Sequence, residues 1–165
     1  MPALPSSYVF PVIFEGPASG VSEPCERVLR TLPRWFGIES SLVQYVRDTD
    51  TLPTFVARER DQVVGFLTAR EHFAEAWEVH CIAVQASHRL HGIGRALHAH
   101  VEDWLVSRGC RLLQVKTMAE SCPSPEYAET RRFYASIGYT PLETFPTLWG
   151  PKLPVLQLVK VLGRS

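Results

Sequence analysis

Neither sign of charge predominates in this sequence. Lys+Arg and Asp+Glu number 17 each among 165 residues, so no overall field draws the molecule to nucleic acid or to an anionic membrane. Long apolar runs are missing too, and none approaches the ~18 residues that a membrane span needs. The apolar stretch between Met1 and Phe14 has no Lys or Arg ahead of it and is broken by Pro2, Pro5 and Pro11. It does not read as a signal peptide, and a cytoplasmic protein is the default expectation. The four cysteines, Cys25, Cys81, Cys110 and Cys122, form no C-x-x-C pair. Cys81 and Cys110 lie in apolar runs, where reduced, buried thiols are expected instead of a disulfide or metal framework. No repeat, charge block or Gly/Ser linker divides the chain, so one domain over residues 1–165 is expected.

Hydrophobic periodicity supplies the elements. Tyr8–Phe14 reads as a strand. Val21, Cys25, Val28, Leu29 and Leu32 have helical spacing, with Ser22 as cap and Pro33 as stop. Ile38, Leu42, Tyr45 and Val46 suggest a second, short helix. Thr54–Arg58 and Val63–Arg70 read as strands joined by the polar turn Glu59–Gln62, and Trp77–Val84 as a third. Strict alternation along that third strand puts Glu78, His80 and Ile82 on one face and Val79, Cys81 and Ala83 on the other.

The clearest helix runs from Gly92 to Arg108, with Ile93, Leu97, Val101, Trp104 and Leu105 as one stripe and Gly109 closing it. Arg111–Thr117 is a buried-type strand. Ser124 and Pro125 have the chemistry of a cap and a first helical residue, and Tyr127, Thr130, Tyr134 and Ile137 line one face of the helix they open. Tyr139–Phe145 and Val155–Leu162 complete the strands. The order β, two helices, three strands, helix, strand, helix, two strands argues for an α+β fold with a mixed, mostly antiparallel sheet.

The chemically informative segment is Arg89-Leu90-His91-Gly92-Ile93-Gly94, between a strand and the long helix. The first N–H groups of a helix have no internal acceptor and carry the positive end of its dipole. Glycines at 92 and 94 let phosphate oxygens approach those groups, and Arg89 and Arg95 add positive charge on either side. The Rossmann pattern fails at its third position, Leu97, and no acid ends the following strand, where Gln114, Val115 and Lys116 stand. The Walker pattern is absent. A nucleotide or dinucleotide binder is thereby disfavoured.

The strand–R-x-x-G-x-G–helix unit resembles the acyl-CoA pyrophosphate site of the GNAT superfamily of N-acyltransferases. Arg131-Arg132-Phe133-Tyr134-Ala135-Ser136-Ile137-Gly138-Tyr139 is similar to that family's final helix. The two segments stand in the right order with one strand between them, and with the element order the resemblance covers about residues 8–162. It implies a three-layer sandwich with splayed central strands flanked by helices. It also implies acetyl-CoA as co-substrate, transfer of acetyl to a primary amine of a small molecule or peptide by direct attack in a ternary complex, and a homodimer by family habit.

Carried over residue by residue, the resemblance places the pantetheine arm against the backbone of Ile82, Ala83 and Val84, with an N–H near Ile82 facing the oxyanion. It makes Tyr134 the general acid for the departing thiolate, since a phenol is protonated at neutral pH. Glu78 stands where some relatives carry a general base, but four strand residues, ~13 Å, separate it from Ile82. His80 lies nearer and is the second candidate. Many relatives have Asn seven residues before the helix tyrosine, and Tyr127 stands there instead. A catalytically silent acyl-CoA-binding module is the alternative, since it needs the cradle but neither Glu78 nor Tyr134. His88, His91, His98 and His100 crowd one region without metal-ligand spacing, and no metal is expected. Arg34, Trp35, Phe36, Tyr45 and Trp149 stand where the family lines its acceptor pocket, and they do not by themselves identify the amine.

Overall fold

A computed structural model describes residues 10–163. The elements are β1 (Val12–Glu15), α1 (Ser22–Arg30), α2 (Glu39–Asp48), β2 (Thr54–Glu59), β3 (Gln62–Phe73), β4 (Ala76–Val84), α3 (Ile93–Ser107), β5 (Leu112–Met118), α4 (Pro125–Ser136), β6 (Thr140–Phe145) and β7 (Val155–Val161). The expected order holds element for element. Of the strand expected at Tyr8–Phe14, Tyr8 and Val9 lie outside the described residues. The seven strands form one sheet in the order β1-β2-β3-β4-β5-β7-β6. Every neighbouring pair is antiparallel except β4–β5, which is parallel.

Helices cover both faces. On one side α1 and α2 bury Cys25, Val28, Leu29 and Leu42 against Val56, Phe66, Cys81 and Ala83. On the other, the α3 stripe Leu97, Val101 and Leu105 packs on Phe55, Leu67, Trp77 and Val79, joined by Tyr134 and Ile137 near the end of α4. Trp104, half-buried, meets Phe55 and Trp77 edge-on with ring centroids 5.1 and 5.6 Å apart, which locks α3 across the sheet beyond simple area burial.

Helix ends follow local chemistry. Ser124 accepts a hydrogen bond from the Tyr127 amide at 3.3 Å, with Pro125 as the first helical residue. Ser22, expected as a cap, is instead the first residue of α1, and Val21 stands before it without a side-chain cap. The reason is Pro24. It has no N–H to offer a Ser22 hydroxyl, and the next amide, Cys25, already donates to the Val21 carbonyl at 3.0 Å.

The largest departure from expectation lies in β4. Thr68 pairs with Cys81 but the next β3 residue, Ala69, pairs with Val79, which leaves His80 as an extra, unpaired residue. Such a bulge resets the two-residue alternation. Trp77 and Val79 therefore face α3, while Cys81 and Ala83 face α1 and α2. The single face expected for Glu78, His80 and Ile82 does not exist. Ile82 packs with the α3-side core, whereas His80 points toward α2.

The four cysteines are free, with Cys25, Cys81 and Cys110 buried. Among the described residues no helix is long and apolar enough to cross a membrane.

His98 sits in the α3-side core at 2% exposure, with its Nε2 2.8 Å from the Tyr139 hydroxyl and Glu102 and Lys160 close by. Burial, reinforced by Lys160, lowers its pKa from 6.5 to about 4. A histidine kept neutral by the fold favours the native state above the unfolded pKa. Between pH 6.5 and 4 the unfolded chain takes up the proton first, so stability falls as pH falls through that window. The expected loss is about 3 kcal/mol, measurable by denaturant unfolding across the range. His98→Gln should flatten this dependence, and an unchanged slope in that variant would refute the assignment.

Candidate active site

The bulge ends the parallel pairing. β4 and β5 pair from Ala76↔Leu112 to Val79↔Val115 and no further, although β4 continues to Val84 and β5 to Met118. The two strands diverge from His80 onward, and a cleft of about 770 Å³ opens between them. Both divergent segments line it, together with the start of α3, one face of α4, the α1–α2 connection and the β6–β7 loop.

Main-chain groups furnish part of the lining. The Gln85 amide donates to the Val64 carbonyl at 2.8 Å, and the β3–β4 register continues through Gly65↔Val84, Phe66↔Ala83 and Leu67↔Ile82. Hydrogen-bonded and non-hydrogen-bonded pairs alternate in an antiparallel ladder. Ala83 therefore spends its main-chain groups on β3, whereas Ile82 and Val84 turn theirs into the gap that β5 has left. Of the three residues singled out in the sequence, two present backbone donors and acceptors to the cleft.

The start of α3 supplies more. Ala96 is the first amide to bond back within the helix, to the Gly92 carbonyl at 3.0 Å. This leaves the Ile93, Gly94 and Arg95 amides without an intrahelical acceptor, and no side chain caps them. Leu90 and Gly92 are left-handed, with φ of 65° and 81°, a conformation that turns successive N–H groups to one side as an anion-binding concavity. Leu90 holds this unfavourable backbone with its side chain 86% exposed, so the turn is not set by packing of that side chain. A Cβ at Gly92 would meet nothing within 4 Å, while one at Gly94 would touch the Phe133 ring and Val84 at 3.6–3.7 Å.

The flanking arginines are engaged. Arg89 donates to Glu129 on α4 at 3.0 Å and stacks on Trp35, 4.2 Å from the ring centroid. Arg95 donates to the Ser136 carbonyl at the end of α4 at 2.8 Å. His91 is exposed. The cradle is thus chiefly backbone, with its cations serving as braces to α4. Tyr127 is a brace as well. Its hydroxyl donates to the Trp35 carbonyl at 2.9 Å, and the Trp35 indole donates to the Glu126 carbonyl and to the Thr130 hydroxyl, each at 3.2 Å. These bonds tie the α1–α2 connection to α4 across the divergent strands.

Tyr134 projects from α4 into the cleft lining at 4% exposure. Its hydroxyl takes no hydrogen-bond partner among the described residues. Burial, with smaller contributions from Cys81 and Tyr45, holds its pKa above the usual phenol value, so it stays protonated throughout the neutral range. Cys81 is likewise kept protonated, first by burial and then by Cys25 and Asp48, and a protonated thiol is a poor nucleophile.

The two candidate bases separate clearly. Glu78 is buried behind the lining, where it accepts from the Lys116 ammonium at 2.8 Å and lies 2.8 Å from His72 Nε2. Burial raises its pKa, but Lys116 and His72 outweigh that and hold the carboxyl below its ordinary value. His80 does line the cleft, with Nε2 2.7 Å from Asp48 Oδ2 and its ring 5.3 Å from Tyr45. Asp48, the last residue of α2, escapes a reading of the sequence because nothing local marks a carboxylate that meets a histidine 32 positions away. The other crowded histidines disperse: His98 to the core, His88 to Glu59 at 3.2 Å, and His100 against Phe14 and Phe55. Among the described residues no three His, Cys, Asp or Glu side chains converge as metal ligands.

The sequence matches the acetyltransferase (GNAT) family over residues 23–139. The chain belongs to that family. It is therefore an acetyltransferase, with the family's α+β sheet opened between two central strands. No curated protein matches the sequence significantly. Solved structures do. A GNAT-family protein from Desulfovibrio desulfuricans is 19% identical with a TM-score of 0.82, over 93% of this chain and 100% of that one. The aminoglycoside 6'-N-acetyltransferase from Enterococcus faecium is 20% identical with a TM-score of 0.73, over 93% and 99%. A GNAT-family acetyltransferase from Elizabethkingia anophelis with acetyl-CoA bound is 15% identical with a TM-score of 0.71, over 92% and 98%. At these identities the likeness is one of fold.

The Glu78 site yields a prediction. Glu78→Gln leaves the Lys116 ammonium without its counter-charge and should destabilise the protein by about 2–3 kcal/mol, less than a fully buried pair would because Lys116 keeps some contact with water. Acetyl transfer at a temperature where the variant stays folded should remain near wild type. Loss of kcat without loss of stability would reinstate Glu78 as the base.

Proposed function

We propose that this protein transfers acetyl from acetyl-CoA to a primary amine of a small molecule or peptide by direct attack within a ternary complex. The observation that carries the reading is the conjunction of uncapped amides at the start of α3 with the free main-chain groups of Ile82 and Val84 in one cleft. A diphosphate fits the first set, because exposed helix-terminal N–H groups bind anions. An amide-bearing arm such as pantetheine fits the second, as a surrogate strand laid where β5 has left β4. The chain members of the cradle are Arg89, Leu90, His91, Gly92, Ile93, Gly94 and Arg95, with Tyr127 helping to hold the opposite wall.

Acetyl-CoA supplies an activated thioester, and the protein's groups suit the remaining steps. His80, its Nε2 engaged by Asp48, has Nδ1 available to take a proton from the incoming ammonium, which must be neutral to attack. In this reading the Ile82 N–H, which β3 does not use, donates to the carbonyl oxygen as negative charge grows there. Tyr134 gives its proton to the sulfur as the carbon–sulfur bond breaks, the remaining extra proton on the attacking nitrogen passes to the phenolate so formed, and His80 releases its proton to solvent. Cys81 takes no part, since a buried, protonated thiol does not favour an acetyl-cysteine intermediate.

Two experiments test this. Calorimetry should show coenzyme A binding to the wild-type protein. Gly92→Val, which forces a β-branched residue into left-handed backbone at roughly 1–3 kcal/mol, and Gly94→Leu, which fills the space before Phe133 and Val84, should each weaken that binding at least tenfold. Binding unaffected by both would refute the cradle. Separately, Tyr134→Phe and His80→Gln should each lower kcat by about 10²-fold or more while acetyl-CoA affinity stays near wild type. Full activity in either variant would remove that residue from the chemistry.

A further inference from the structure

The acceptor end of the cleft, away from the α3 cradle, is built from the α1–α2 connection, α2 and the β6–β7 loop. Its wall is aromatic. Phe36 meets Tyr45 edge-on at 5.8 Å, Tyr45 meets His80 at 5.3 Å, and Trp149 and Leu153 also line the cleft. Glu129 is the one carboxylate in the lining among the described residues, and it is bonded to Arg89.

The carboxylates just behind or beside the lining are also committed. Asp48 engages His80, and Glu78 engages Lys116 and His72. Glu39 makes a two-pronged pair with Arg30 at 2.8 and 3.1 Å, and Glu126 meets Arg34 at 3.4 Å and accepts from the Ser124 hydroxyl. Each acid near the acceptor end is thus answered by a cationic or imidazole group of the protein's own.

We infer that this end of the cleft takes a monoamine with an aromatic or apolar body and discriminates against polycationic amines; the inference rests on the acetyl-transfer reading above. A polyamine or aminoglycoside brings several ammonium groups, and each must leave water for a counter-charge or stay unpaired at a large cost. Here Asp48, Glu78 and Glu129, the carboxylates nearest the cleft, already have partners of the protein's own, and Glu39 and Glu126 lie in solvent-exposed pairs that offer a further charge little. A monoamine has a single charge, given up to His80 before attack. Until then the faces of Phe36, Tyr45 and Trp149 can hold it by cation–π contact, and its apolar body gains by covering them.

The test measures coenzyme A thiol release by the full chain at saturating acetyl-CoA, with 2-phenylethylamine, hexylamine, spermine and kanamycin as acceptors. Expected is a kcat/KM for 2-phenylethylamine at least 100-fold above those for spermine and kanamycin. Trp149→Ser and Phe36→Ser should lower it tenfold or more, mainly through KM, with acetyl-CoA affinity unchanged. Ser41→Asp adds an uncommitted carboxylate to the lining and should narrow the gap to spermine about tenfold. Spermine or kanamycin matching the aromatic amine overturns the inference. So does failure of both monoamines to react while coenzyme A binds normally by calorimetry. Absence of coenzyme A binding would sink the acetyl-transfer reading itself, and this inference with it.

Discussion

One extra residue in β4 governs the architecture of the site. A sheet in which every strand paired along its length would have no interior space, and β4 with β5 would be a continuous parallel ladder. His80 interrupts β4 immediately after Val79, the last residue to pair with β5. The bulge kinks the strand and changes which face each later side chain meets. Three consequences follow together. The strands diverge, Ile82 and Val84 keep main-chain groups that no protein strand satisfies, and the imidazole of the unpaired residue is directed to Asp48. Buried backbone groups without partners are costly, so an opening of this kind calls for a ligand or water to complete it.

A split sheet needs something to hold its halves at a fixed opening, and α4 does this. Tyr134 and Ile137 anchor it in the α3-side core. Its other end is bonded to the α1–α2 connection through Tyr127, Glu126 and Thr130 to Trp35, and Arg131 donates to the Met118 carbonyl at the end of β5. The arginines on either side of the cradle complete the frame, since Arg89 and Arg95 both end on α4. Cations that a sequence reading assigns to a bound anion thus also fix the distance between the α3 start and α4. A binding site with preset walls costs less to organise when its ligand arrives.

Much of this was legible in the sequence, and the reasons differ by element. The α3 stripe, the Ser124–Pro125 start of α4 and the glycine turn at 92 are local devices, and they sit where spacing and cap chemistry placed them. Glycine 92 in particular answers to a left-handed backbone that a motif can reveal. The β4 bulge was not legible, because Cys81, Ile82, Ala83 and Val84 are all apolar and fit either face equally well. Assuming unbroken alternation aligned Glu78, His80 and Ile82 on one face, with Glu78 the first candidate base and His80 the second. The surroundings of the two are set by partners on other elements: Lys116 and, across the β3–β4 turn, His72 for Glu78, and Asp48 for His80. Long-range pairing of polar groups leaves no periodic trace.

The polar contacts of Glu78 and His80 differ in number and in burial. Glu78 has two partners and a depressed pKa, so it holds its charge firmly and gives little driving force for taking a proton. His80 has one partner on Nε2 and exposure to the cleft on its other side. The Asp48 carboxylate on Nε2 fixes the orientation of the imidazole and leaves its other edge toward the cleft. A base behind the wall would need ordered water to reach the amine, whereas one at the bulge stands where the strands part. The same irregularity that opens the cleft therefore also brings the His80 imidazole to it, and the two features cannot be altered independently by restoring the strand.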